Sequence, residues 1–170
     1  MVIDSLLEKL KQTPMDLRVL GTLLPDYATT MEYKQLNGRH RAHVFKDKKC
    51  IVMRIPSNFS DIGHFIVLVR HQKSIEYFSS LGGSPESELK QLGQDKAKMM
   101  ELLGTNYVYN SKQLQSRDST IHSCALHCLA RIKLHKLKLQ QYQKMFNRSI
   151  TLRSSDDIVS MMTILLVSEL

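Results

Sequence analysis

The sequence predicts an α+β domain, a small mainly antiparallel or mixed sheet flanked by helices. Three observations carry that expectation. HFIVLVR and IEYFSSLGG, both rich in β-branched and aromatic residues, flank the polar turn HQKS and read as a β-hairpin. Segments with helical spacing of apolar residues stand on either side of that hairpin. The chain has 170 residues, enough to bury one core without staples, and reads as a single domain over 1–170.

The elements follow in order. Asp4 is placed to cap a helix running to about Gln12, with Ile3, Leu6, Leu7 and Leu10 on one face. Pro14 breaks it or opens a second short helix. GTLLPDYATT reads as loop, and HVFKDKKCIVMRI as two short β-prone runs around a KDKK turn. In the hairpin, HFIVLVR is apolar on both faces and so predicts a central strand. Gly82, Gly83 and Pro85 end its partner. A polar helical region spans roughly Pro85 to Leu103, YVYN is a third β-prone piece, and SKQLQSRDST is loop. Ser123 is a candidate N-cap for a long helix beginning at Cys124. Leu126, Leu129, Ala130, Leu134 and Leu137 form its apolar stripe, with Lys and Arg facing out. Ser155, Asp156 and Asp157 mark a last helix start.

Composition narrows the classes. Cys50, Cys124 and Cys128 are too few and too odd in number for a disulfide framework, which points to a reducing compartment. MVIDSLLEKLKQ interrupts its apolar pattern with charges and does not read as a secretory signal. Ile158 to Val167 is apolar but too short to span a bilayer, so it is expected to dock on the core, and no membrane partner is predicted. The formal charge is +8, with basic clusters in Arg39–Arg54 and Arg131–Arg153. They read either as a solvated surface or as an attractor for nucleic acid. The chain lacks Trp and any basic-aromatic interleaving, which argues against sequence-specific reading of bases.

The chemistry centres on Cys124. A thiol at the first turn of a helix meets partial positive charge that favours thiolate, and free backbone N–H groups that suit a developing oxyanion. His64 follows Gly63 and opens the buried-looking strand; alone it reads equally as a core histidine. His122, Cys124, His127 and Cys128 leave a zinc reading open, although no CxxC pair is present and a further ligand would come from afar. No metal and no cofactor is predicted.

The order GHF strand, YFSSLGG strand end, Gln-containing loop and Ser-Cys helix start resembles the adenain and ubiquitin-like-protein protease superfamily, clan CE. It is closest in look to the maturation proteases of virophages, Polinton-type elements and adenoviruses. The likeness covers roughly Gly63 to Lys138. It implies an adenain-like, papain-type arrangement with the nucleophile at the N-terminus of a central helix. Cys124 would be the nucleophile, His64 the general base and Gln115 the oxyanion donor. Ser79 falls at the family's acid position, where it would orient His64. Three departures stand out: Ser79 is not a carboxylate, Gln115 lies further before Cys124 than is usual, and Ala125 replaces the usual Gly. Glu76, Asp61 and Asp118 are the other acids to weigh, and Gln113 the other amide.

The resemblance implies a cysteine endopeptidase acting on capsid or other structural precursor proteins, in the virion and the infected host cell, cytoplasm or virus factory. Its polypeptide substrate would be joined by nucleic acid on the basic surface. Two alternatives remain. One is a protease for SUMO-like tags, whose catalytic domains are usually larger and carry Trp after the His. The other is a catalytically weakened relative acting as a basic binding module.

Overall fold

The computed structural model describes residues 2–36, 41–146 and 153–167. The helices are α1 Val2–Gln12, α2 Leu17–Thr22, α3 Arg41–Phe45, α4 Pro85–Gln91, α5 Ala97–Leu103, α6 Cys124–Lys133, α7 Leu139–Lys144 and α8 Ser155–Val167. The strands are β1 Ala28–Glu32, β2 Cys50–Ile55, β3 His64–Arg70, β4 Ile75–Phe78 and β5 Tyr107–Tyr109. They form one sheet in the order β1-β2-β3-β4-β5. The inner pairs β2–β3 and β3–β4 are antiparallel and the outer pairs β1–β2 and β4–β5 are parallel. The architecture is α+β with a mixed sheet.

Strand β3 lies at the centre, as its two-sided apolar pattern requires. Alternation splits its residues between two cores. Phe65, Val67 and Val69 join Ala125, Leu126 and Leu129 of α6, while Ile66 and Leu68 join Tyr77, Leu89, Met99 and Leu103 on the other face. The hairpin pairs Arg70 with Ile75 and Val67 with Phe78, so the turn HQKS and both strands fall where the sequence put them.

Several local expectations are corrected. The segment read as loop after Pro25 pairs in register with β2 from Ala28 to Glu32. Only Ala28 and Met31 of this strand are buried, too weak an alternation to mark it as a strand. The HVF run is helical, not extended. Asp4 lies inside the first turn of α1 rather than capping it. Ile3 and Leu6 are exposed, and only Leu7 is fully buried on that helix face. The helix from Cys124 ends at Lys133, leaving Leu134 as its C-cap and Leu137 beyond it. Arg131 does not face out. It is fully buried and forms a two-pronged ion pair with Glu76 of β4, at 2.7 and 2.8 Å. A helical charge pattern cannot foresee this, because the partner carboxylate arrives from the sheet. The C-terminal apolar helix does dock on the core: α8 packs on α6 and α1, and Val159 is fully buried. Among the described residues no helix is long and apolar enough to cross a membrane.

Candidate active site

The site forms where β3 begins and α6 begins. Gly63 precedes the histidine because nothing larger fits: a Cβ there would stand 2.6 Å from the Ile55 carbonyl oxygen. That close approach lets β3 start opposite the end of β2, with His64 paired to Ile55. The same strand end meets the first turn of α6, which packs on β3 and brings Cys124 beside Phe65 on the cavity wall. His64, Gln115 and Cys124 thereby line one cavity of about 490 Å³. Its walls also carry Met15, Asp16, Arg54 and Ile121. Asp61, Asp118 and His122 line it as well, from the surrounding loops.

His64 is 6% exposed, and its Nε2 lies 2.9 Å from the Ser79 hydroxyl. Ser79 sits just past the end of β4, on the face of Tyr77, where strand alternation predicts it. The Ser79 oxygen also accepts the N–H of Leu81 at 3.2 Å. With Nε2 engaged, Nδ1 is the other ring nitrogen, able to take a proton in the tautomer where Nε2 donates to Ser79. Burial pulls the His64 pKa down to about 4, helped by charge repulsion from His127. The imidazole is therefore neutral at physiological pH.

The Cys124 thiol departs from the sequence expectation. Burial pushes its pKa up. The backbone N–H groups of Phe65, Ala125 and Cys124 itself oppose that rise without reversing it. Desolvation of the thiolate outweighs the helix terminus. Ser123 occupies the N-cap position but makes no side-chain cap; its hydroxyl is turned to Asp156. Both the thiol and the imidazole are therefore neutral at rest.

Gln115 is held from two sides. Its Oε1 accepts the Ser80 hydroxyl at 2.8 Å, and its backbone N–H donates to the Ser80 carbonyl at 2.9 Å. Its Nε2 gives one hydrogen to the Ile121 carbonyl at 3.2 Å, which leaves the second for another acceptor. Gln113 donates its amide to the Gln115 carbonyl and does not line the cavity.

The other acids are placed clearly. Glu76 points to the α6 face, bound to Arg131, and is not within the His64 site. Asp118 lines the cavity, and its Oδ1 accepts the Thr120 backbone N–H at 2.9 Å and the Thr120 hydroxyl at 2.8 Å. Asp61 lies on the cavity wall. The four residues of the zinc reading have separate surroundings. His127 bonds Asp156 at 3.2 Å, Cys128 is buried in the core, and His122 and Cys124 border the cavity. Among the described residues no three His, Cys, Asp or Glu side chains are placed to hold a metal ion.

No family model matches the chain. It is similar to the Uncharacterized protein V9 of Sputnik virophage, with 28% identity over 116 residues, covering 60% of this chain and 66% of that protein. The chain thus spans slightly less than two thirds of that relative's length. This likeness relates the chain to a viral protein.

Two residues of the site escaped the sequence reading. Ser80, which anchors Gln115, differs from Ser79 only in facing the other way. Glu88 of α4 is 3% exposed and accepts the Tyr77 phenol and the Gly83 N–H, each at 2.9 Å. A Glu in the polar run PESELKQ carries no signal of burial, since helical spacing alone gives it a solvated place.

Proposed function

We propose that this chain is a cysteine endopeptidase in which Cys124 is the nucleophile and His64 the general base. The observation that carries the reading is the convergence of Cys124, His64 and Gln115 on one cavity, with Nδ1 of His64 uncommitted. The thiol passes its proton to Nδ1 as the sulfur attacks the scissile carbonyl carbon. The oxyanion takes the free hydrogen of Gln115 Nε2 and the backbone N–H of the helix turn. The protonated imidazole then gives its proton to the leaving amine, and water hydrolyses the thioester, returning thiol and neutral histidine. Because both groups rest neutral, thiol deprotonation accompanies the attack instead of preceding it.

The substrate class is a polypeptide; capsid or other structural precursors in the infected cell are what the resemblance to maturation proteases implies, and the likeness to a virophage protein agrees with a viral setting without bearing on the substrate. The net charge of +8 suits attraction to an acidic partner or to nucleic acid near the substrate. A second reading, a non-catalytic binding module, draws on the hydroxyl at the acid position and on the neutral resting pair.

The deciding experiment incubates the protein with a peptide library and sequences the new N-termini by mass spectrometry. Cleavage by the wild type that disappears in Cys124→Ser supports the protease. Cleavage identical in both rejects it, and no cleavage in either favours the binding module.

A further inference from the structure

We propose that a second cavity, lined by Glu88 of α4 and adjoining the active site, is a specificity subsite that takes a basic side chain of the substrate. The inference rests on the protease reading for its purpose and deepens it by naming a feature of the substrate. The cavity measures about 320 Å³. Gln115, Asp118 and Ile121 line it and the Cys124–His64 cavity alike, so one loop forms a wall of both. A peptide whose scissile carbonyl meets Gln115 can therefore send a neighbouring side chain past that loop into the second cavity.

Glu88 is the unusual member of the lining. It is 3% exposed, and neutral donors hold its two oxygens: the Tyr77 phenol donates to Oε2 and the Gly83 N–H to Oε1, each at 2.9 Å. A carboxylate oxygen has two acceptor sites, so both oxygens keep capacity for a further donor. Among the described residues no Lys, Arg or His nitrogen lies within ion-pair distance of Glu88. Glu76 is as deeply buried and shows the usual solution, with Arg131 bound at both oxygens. Burial penalises a carboxylate's charge unless a cation or several donors offset it. At Glu88 the cation is missing and a cavity adjoins the residue. Gly83 fixes the carboxylate there: a Cβ at position 83 would come within 2.6 Å of Glu88 Cγ and 2.9 Å of Oε1. An entering lysine or arginine would bring the absent charge, with its methylene stem against Leu81 and Ile121. Arg117 lines the same cavity but is exposed and stands beyond ion-pair reach of Glu88. Its charge opposes an incoming cation, so it weakens the preference without filling the place.

The test compares kcat/KM for peptides that carry lysine, its neutral isostere norleucine, or glutamate at each position flanking the cut. The wild type is expected to prefer lysine over norleucine by about 10-fold or more at one position, the worth of a charge-assisted bond. Glu88→Gln is expected to lose that preference. A wild type that treats lysine and norleucine alike, a folded Glu88→Gln that keeps the preference, or a preference for glutamate that vanishes in Arg117→Ala overturns the proposal. Should Glu88→Gln not fold, Arg117→Ala at its exposed position decides. A several-fold rise in the lysine preference supports the site, and no rise overturns it. If no peptide is cleaved, the protease reading falls and the cavity is judged alone. The Glu88 carboxyl carbon shift of 13C-glutamate-labelled protein is then followed during titration with Nα-acetyl-lysine amide and with its norleucine analogue. A shift given by the lysine probe alone upholds the site, and equal behaviour of the two probes removes it.

Discussion

Among the described residues two histidines are buried, His64 and His127, and they differ in an instructive way. His127 on α6 is fully buried and has a carboxylate partner in Asp156, which Ser123 also contacts. On residue types alone, that serine, histidine and aspartate make the better catalytic set. His64 has only a hydroxyl, yet it borders the cavity that Cys124 and Gln115 share. His127 is sealed by Phe146 and the α8 helix start, and its Nδ1 meets no partner. A base must reach a substrate proton, so access decides between them, not the strength of the partner.

The largest expected effect separates the two rings. His64→Ala is expected to cut peptide cleavage by roughly 10⁴-fold or more in the folded fraction, at a smaller cost in stability than His127→Ala because its ring borders the cavity. His127→Ala is expected to do the reverse. It should cost about 2–4 kcal/mol in denaturant unfolding, from the cavity left and the acceptor stranded on Asp156, with activity kept in the folded fraction. Equal losses of activity in both variants would erase the distinction.

Gln115→Ala comes next. As an oxyanion donor it should lower turnover by about 10²–10³ with little change in KM. A rate that holds steady transfers the role to backbone N–H groups alone.

Acid unfolding sharpens the electrostatic side. His64 folds neutral with a pKa of about 4, against 6.5 for the unbound side chain. Between those values the unfolded chain binds the extra proton, so stability falls as pH drops through this window. The full contribution is about 3 kcal/mol, present above pH 6.5 and lost by about pH 4. Urea titrations of wild type and His64→Leu should diverge over that range. Parallel curves would mean the ring is not held neutral.

The smallest effects fall on Ser79. Ser79→Ala should lower turnover only several-fold, since an orienting bond is lost and no charge. Ser79→Asp should raise the His64 pKa and move the acid limb of the rate profile upward, because a nearby negative charge favours imidazolium. An acid limb that stays put would place position 79 outside the histidine's reach.

Much of this site was legible in the sequence because it lies on elements with strong patterns. The β3–β4 hairpin announces itself by β-branched runs around HQKS, and with it the parity that sets Ser79 beside His64. The helix beginning at Cys124 is equally plain. What escaped depends on contacts between distant segments. Strand β1 has a poor alternation of its own and is made a strand by pairing with β2. Arg131 looks solvated until Glu76 reaches it across the core. The thiol's raised pKa follows from desolvation, and sequence position alone showed only the opposing helix terminus. Glu88 is buried only because Gly83 and Tyr77 make room and partners for it.

The central claim is that Cys124 attacks with His64 as its base. Its most direct test is covalent labelling with a peptide-like electrophile, followed by peptide mapping of Cys50, Cys124 and Cys128. The account predicts modification at Cys124, with Cys50 and Cys128 spared by burial, and a rate that collapses in folded His64→Ala. Labelling that ignores the loss of His64, or that falls on Cys50 or Cys128 first, would contradict it.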